Sequence, residues 1–459
     1  MEFLDRESEL AVLADHLDRR GAGLFVLYGR RRIGKTELLR RALADRPRAA
    51  YHVGTRSTPV EELARLSDTL AREWGQPLLA AQPLASLPAL LAFLEGVRGP
   101  HCLVLDEFPC MSEGDPSFEG LLQAAWDRSL SRGDLKLVVC GSSVSVMEST
   151  FLSPRAPLYG RRTGQLRLGP LPPHALRSAF PGPPERIVEI AATFGGVPAY
   201  LQRLDPDLDL EQNLRRHVLA RGEPLYEEVP FLLREELREP RVYAAILATI
   251  AGGARKFGEI SSKVGLDRAN LTRYLSVLHD LGLVEREVPV TEALPDRSRK
   301  GLYRVSDPFT ATWFALVHPF RDQLETGALD RAWPRIRERL AGRMPLAVEP
   351  IVRDLLRHVL AERFGFHAAH AGRQWAPGAE FDAVFLDEER RRAFVVEVKW
   401  TQGAVGVGAL DDLRRRVSGD PALSALRTTC AVVSRAGFRG RAPSSDREYL
   451  IGPDRLIGE

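Results

Sequence analysis

Two groups of residues have the types and spacings that chemistry needs. The first is "GRRRIGKT", in which Gly29 and Gly34 flank four residues and are followed by Lys35 and Thr36. Glycines let backbone N–H groups close around phosphate oxygens, and the start of a helix adds partial positive charge. In this pattern Lys35 would bridge the β- and γ-phosphates of a nucleotide and Thr36 would ligate magnesium. A partner lies downstream in "CLVLDEF", an apolar run ending in Asp106 and Glu107. Asp106 would hold the metal, directly or through water, and Glu107 would orient and deprotonate the attacking water. A third apolar run ends in "CGSSVS", where Ser142 or Ser143 would sense the γ-phosphate.

The second group is in "GAEFDAVFLDEERRRAFVVEVKW". It reads as a hairpin with Glu380 and Asp382 on one strand and Glu397 and Lys399 on the next. Strict alternation puts each pair on one side and leaves Phe381, Ala383, Phe385, Val396, Val398 and Trp400 for the other. Gathered carboxylates repel each other unless a cation sits among them, and hard oxygen donors suit magnesium or manganese. A lysine beside such an ion stabilises the negative charge of a phosphate under attack. The helical stretch "LAVEPIVRDLLRHVL" adds Glu349, with Leu346, Ile351, Leu355 and Val359 as its expected buried stripe.

These groups need elements to position them. "LFVLYG", "CLVLDE" and "LKLVVCGSS" read as buried parallel strands alternating with helices such as "KTELLRRAL", a three-layer α/β domain over 1–170. Proline punctuation introduces a helical region over 171–235. Residues 236–306 have winged helix-turn-helix patterning. Two helices break at Gly265, Asp267 suits an N-cap, and Leu271, Leu275 and Leu278 line one face of the second helix. Arg268, Asn270, Thr272 and Arg273 are placed to meet DNA, with Arg297, Arg299 and Lys300 on the wing. A helical connector over 307–344 leads to the last domain, 345–459.

A chain of 459 residues implies two to four domains, and 44% hydrophobic and 27% charged residues are ordinary for a globular protein. The net charge of +3 permits a local nucleic-acid patch without arguing for one. Cys102, Cys110, Cys140 and Cys430 have no CxxC spacing, so neither a zinc knuckle nor a disulfide framework is expected. The polar start and the lack of a long apolar run predict a cytoplasmic protein without a membrane span.

Taken in order, "FLDRESEL", "YGRRRIGKTELL", "LVLDEFP", "CGSSVSVM", "PLYGRRTG" and "GGVPAYL" resemble the archaeal-type ATPases of the AAA+ superfamily, near the signal-transducing (STAND-like) NTPases. The resemblance implies ATP as the nucleotide and places Arg6 and Glu7 beside it. It also implies that Gly195, Gly196 and Pro198 form a turn packed by the base from a helical lid. The lid carries no evident sensor arginine near that turn. Arg161 is the candidate finger for developing γ-phosphate charge, with Arg162 not separable from it. A finger acting on a neighbouring subunit would imply homo-oligomers assembled on ATP.

The hairpin resembles the PD-(D/E)xK nuclease core. That resemblance implies Asp382 and Glu397 as metal ligands, Glu349 as the completing acid, Lys399 as the charge stabiliser and Glu380 as an auxiliary or rim acid. The expected architecture is therefore an α/β AAA+ P-loop core with a helical lid, a winged helix-turn-helix, and a C-terminal α/β restriction-endonuclease-like domain. Its expected function is ATP hydrolysis coupled to DNA binding and metal-dependent cleavage, in defence, mobile-element biology or DNA processing. The alternative is a STAND-like nucleotide switch or scaffold whose C-terminal domain binds without cutting.

Overall fold

The computed structural model describes residues 4–154, 156–440 and 447–457. Residues 5–170 form one compact unit, and the chain from 171 onward forms the other.

The first unit is built on five parallel strands in the order β2-β3-β4-β1-β5, namely Ala49–Val53, His101–Asp106, Leu135–Gly141, Gly23–Tyr28 and Gly164–Arg167. The three apolar runs read from the sequence are the inner strands β1, β3 and β4, buried along their whole length. Helices Pro59–Glu73, Leu87–Gly96 and Phe118–Arg128 cover one face with Leu66, Leu70, Leu90 and Leu122. The alternate strand residues Phe25, Leu27, Val104 and Val138 are buried as well, so both faces are covered. The flanking strands β2 and β5 are only half-buried, and their mixed composition leaves no apolar run to read. Chain order reverses across β1, β3 and β4, and their carboxyl ends gather Gly29, Asp106 and Ser142 at the switch point where such sheets bind ligands.

The second unit begins with lid helices, of which Pro184–Phe194 is the longest before residue 228. A helix-turn-helix follows, with Pro240–Ala251 packed on it, Phe257–Val264 as its first helix and Arg268–Asp280 as its second. Gly265 turns the chain at φ +74, Asp267 accepts from the Asn270 amide at 2.9 Å, and Leu271, Leu275 and Leu278 are buried. Strands β6 (Val284–Glu287) and β7 (Leu302–Val305) pair antiparallel as the wing. The segment after β6 is stitched to the C-terminal sheet, since the Val290 amide donates to the Arg373 carbonyl at 2.9 Å.

Helix Leu329–Phe364 runs 36 residues through Pro334, Pro345 and Pro350. It lies on a mixed sheet of order β14-β12-β10-β9-β8, with strands Glu448–Ile451, Arg427–Ser434, Arg392–Lys399, Ala379–Leu386 and His370–Ala376. Strands β8, β9 and β10 form an antiparallel meander, and β12 and β14 run parallel to β10. Helix Gly408–Gly419 covers the other face through Leu410, Leu413 and Val417. Two short parallel strands, β11 (Val405–Gly406) and β13 (Phe438–Arg439), pair beside it.

Two expectations are corrected here. Leu346 is 63% exposed, because it lies well around the helix from the buried stripe of Val348, Val352, Leu355 and Val359. Strict alternation also fails on β9. The β8–β9 register shifts between Gly372 and Gln374, so Asp382 and Ala383 together oppose Arg373. Phe381 consequently packs with Val384 and Leu386 on the layer of helix Gly408–Gly419, while Ala383 and Phe385 face the long helix. Among the described residues no helix is long and apolar enough to cross a membrane, and the four cysteines are free.

Candidate functional site

Gly29 has φ +152, and a Cβ there would lie 2.3 Å from the Leu168 carbonyl oxygen, so only glycine fits. Gly34 takes φ +90 at the mouth of helix Lys35–Leu43. Lys35 is 6% exposed and donates to the Gly29 and Arg30 carbonyls at 2.8 and 3.0 Å, curling over the loop whose amides it closes. Thr36 Oγ1 donates to Asp106 Oδ2 at 3.0 Å, which brings two oxygen donors of the expected magnesium site together. Tyr51 on β2 donates to the same Asp106 oxygen. Burial, and then the Asp106 charge, push the Tyr51 hydroxyl pKa up, so it stays a donor.

Glu107 follows at φ +52 and accepts from Ser142 Oγ at 2.9 and 3.1 Å. A non-glycine residue held left-handed is costly, and such strain gathers where a side chain must be aimed. The pair separates Ser142 from Ser143, which the sequence left equivalent. Arg6 is 5% exposed and spans the Ile33 and Gly169 carbonyls at 3.3 and 2.6 Å, with Glu9 on its other nitrogen at 2.6 Å. Its contacts buttress the phosphate loop from behind. Arg161 forms a two-pronged pair with Asp127 at 2.7 and 2.9 Å and caps the Pro157 and Tyr159 carbonyls, while Arg162 holds the Phe151 carbonyl at 2.9 Å. Among the described residues, these partners all lie outside the phosphate loop. In the second unit the Gly195-Gly196-Val197-Pro198 turn is pinned by Leu171, whose amide donates to the Gly196 carbonyl at 2.7 Å.

The C-terminal residues converge as well, through the bulge. Asp382 Oδ2 accepts from the Val398 amide at 2.7 Å, bridging a place where the β9–β10 ladder has ended. Burial and the neighbouring Glu397 charge push Asp382 up to about 6. Burial and Asp382 push Glu349, on the long helix, up to about 8. The cations among these acids come from the protein. Glu397 binds Lys399 at 2.5 Å and Arg416 at 2.6 Å, Glu349 lies 3.7 Å from Arg373, and Glu380, half-exposed at the rim, is paired with Arg373. Among the described residues no group of three or more His, Cys, Asp or Glu side chains is arranged to hold a metal ion. The sequence reading missed Tyr51, Arg373 and Arg416. Tyr51 stands on a half-buried edge strand, and the two arginines sit in no motif, so only the folded register identifies them.

The exposed row of the second helix-turn-helix helix carries Arg268, Asn270, Thr272 and Arg273. Asn270 is bonded to Asp267 at 2.7 Å, and Arg273 lies over the Tyr274 ring and 3.8 Å from Glu239. On the wing, Arg297 and Arg299 are exposed and Lys300 pairs with Glu292.

Residues 3–204 match a model described as an ATPase domain predominantly from Archaea. Residues 243–288 match an IclR helix-turn-helix domain, and residues 313–410 match a family described as archaeal and bacterial proteins of unknown function. An uncharacterized protein of Methanocaldococcus jannaschii is 31% identical over 400 residues, covering 87% of each chain. A Walker-type ATPase of Pyrococcus abyssi is similar in fold, with a TM-score of 0.51 and 22% identity over 68% of this chain and 96% of that one. The Aeropyrum pernix ORC1 protein, solved in complex with DNA, aligns with a TM-score of 0.36 and 20% identity over 70% of this chain and 95% of that one.

Proposed function

We propose, for a chain that belongs to the archaeal-type AAA+ ATPase family and carries a helix-turn-helix module, that ATP controls a DNA-contacting winged helix and a metal-dependent, nucleic-acid-cleaving C-terminal domain. The observation that carries the nucleotide half is the convergence of Lys35, Thr36, Asp106 and the Glu107–Ser142 pair at the carboxyl ends of β1, β3 and β4. Lys35 would hold the β- and γ-phosphates, Glu107 would take the proton of the attacking water, and Ser142 would aim Glu107. Thr36 and Asp106 supply hard oxygens and fit magnesium, which when bound neutralises charge on the transferred phosphoryl group. Arg6 holds the loop in shape, and Pro198 lies in the lid turn assigned to the base. Arg161 acts, if as a finger, on a neighbouring subunit within an ATP-assembled oligomer.

The cleavage half rests on the buried acids Asp382, Glu349 and Glu397 around the β9 bulge, together with the order of 329–434: a long helix, the three-strand meander, the short strand β11, two helices and β12. Burial, and then a neighbouring carboxylate, pushes two of these carboxyls up, and their hard oxygens suit magnesium or manganese. Such an ion would be held by Asp382 and Glu397, with Glu349 completing the site, and would supply Lewis-acid stabilisation of a phosphodiester. Lys399 would hold a phosphate oxygen, and Glu380 would stay at the rim. The domain limits at 170, 235, 306 and 344, and a cytoplasmic location, belong to the same reading.

A second reading, a nucleotide switch with a binding-only C-terminal domain, is favoured by one observation. Arg373, Arg416 and Lys399 already neutralise the acids, and the wing is tied to β8. Calorimetry separates the two. Manganese uptake at the C-terminal site should disappear in Asp382→Ala and Glu397→Ala while Lys35→Ala keeps it. No uptake dependent on those acids supports the switch. Salt-sensitive DNA binding should weaken when Arg268, Arg273 and Arg299 become Ala. Unchanged binding would remove that face from the reading.

A further inference from the structure

A pocket of about 430 Å³ opens between β6, the start of β8 and the long helix, and shares Arg373 with the acids Glu349 and Glu380. Five arginines line it from separate elements: Arg286 on β6, Arg353 and Arg357 one turn apart on the long helix, Arg373 on β8, and Arg390 in the β9–β10 turn. Two carboxylates, Glu285 and Glu287, share the lining.

These charges do not cancel. Glu287, 8% exposed, is ion-paired with Arg255 at 3.0 Å, Arg304 at 3.3 Å, and Arg353 and Arg373 at 3.4 Å. Arg304 also pairs with Glu285, and Arg373 also serves Glu349 and Glu380. The two lining acids are thereby neutralised by arginines that have no charge to spare. Arg286, Arg357 and Arg390 form no ion pair within 4 Å among the described residues, and the Arg357 charge acts on the carboxyl of Asp354 on the same helix. Arg286 spends its nitrogens on the Pro295 and Ser298 carbonyls at 3.2 and 2.5 Å. Arg390 reaches only the Glu292 carbonyl at 3.5 Å, and Arg357 makes neither a hydrogen bond nor an ion pair to a described residue. Three guanidinium groups around one pocket repel each other and are stabilised by an anion.

Val288, Pro289, Val290 and Pro295 on the wing side and Ala369 and Ala371 on the sheet side give the pocket an apolar wall, with His370 and Gly372 beside them. The guanidinium fork matches phosphate oxygens two at a time, and the volume lies in the ordinary range for small-molecule sites. We infer that this pocket binds the phosphoryl group of a nucleotide on Arg357 and Arg390, with Arg286 adding positive charge from the wing strand and the sugar and base against the apolar wall. The site does not depend on the cleavage reading. Its ligand bridges the wing strand, the long helix and the sheet, so occupancy would set how firmly the wing is held.

The test is calorimetric titration of the full chain at low salt with pyrophosphate, AMP and a 5′-phosphorylated tetrathymidylate. We expect two classes of site for pyrophosphate in the wild type. Lys35→Ala should remove one class. Arg357→Glu combined with Arg390→Gly should weaken the other at least tenfold with ATP turnover unchanged. Arg357 is exposed and glycine suits the left-handed Arg390 backbone, so this variant should fold. Arg357→Lys alone provides a milder check. AMP binding that is lost in the arginine variant identifies a free nucleotide as the source. Binding of the oligonucleotide alone, lost in the same variant, identifies a strand end. A single class of site in the wild type, or a second class indifferent to Arg357 and Arg390, would overturn the inference.

Discussion

Around Asp106 every polar atom has a visible task. Oδ2 receives Thr36 and Tyr51, and Oδ1 receives the Glu107 amide at 2.9 Å, so the carboxylate cannot swing. Ser142 fixes Glu107 through its hydroxyl, and Glu107→Gln keeps an acceptor for that hydroxyl while losing the base. ATP binding should persist and turnover should fall by at least about 100-fold in phosphate release. Unchanged turnover would take Glu107 out of the chemistry. His16 gives a pH prediction at the same scale. It is buried at 3% exposure against Phe25, and burial, then the Lys136 ammonium, lower its pKa from 6.5 to about 4. The folded state therefore prefers neutral imidazole. The resulting stability is complete above pH 6.5 and is lost as pH falls toward 4. Melting temperatures should drop more steeply over that interval in wild type than in His16→Asn; parallel curves would contradict the assignment. Lys35, Thr36, Asp106 and Glu107 were legible because their motif states its own geometry. Tyr51 was not, since a tyrosine on an edge strand carries no local signal of the carboxylate it meets.

Among the elements, the bulged hairpin decides most. An alternating pattern in "AEFDAVFL" predicts one acidic face, yet the extra residue at Asp382–Ala383 transfers Ala383 to the other layer. No sequence period reveals a bulge when apolar residues stand on both faces of a sheet, which is why the hairpin was legible and its faces were not. The same holds for the long helix, where Leu346 fits an apolar count but lies off the stripe. Arg373 stands opposite the bulge and touches Glu287, Glu349 and Glu380 with its side chain 7% exposed. Replacing it by Gln leaves several buried carboxylates with less compensation. Unfolding free energy should fall by about 3–5 kcal/mol in denaturant titrations. A loss below about 1 kcal/mol would mean that water already screens the cluster.

For the molecule as a whole, the second unit is one continuous apolar core running from the lid helices through the helix-turn-helix and long helix to the C-terminal sheet. Glu189 on lid helix Pro184–Phe194 receives Trp400 at 3.1 Å and Arg435 at 2.6 Å. These residues directly follow Lys399 and Ser434, the paired ends of β10 and β12. A lid that responds to ATP would thus pull on the strand that carries Glu397 and Lys399. Glu189→Gln weakens the bond to Arg435, and any ATP effect on the C-terminal site should shrink while ATP turnover stays near wild type. An undiminished effect would place the coupling elsewhere. Order and type of the domains were legible from motifs, whereas this contact joins residues 211 apart and arises only on folding. The most direct measurement of the central claim is cleavage of plasmid and single-stranded DNA with manganese, with and without ATP, in wild type, Asp382→Ala and Lys35→Ala. The account predicts cleavage by wild type, its loss in Asp382→Ala, and loss of the ATP response in Lys35→Ala. Intact DNA in every condition, with ATP hydrolysis preserved, would contradict it.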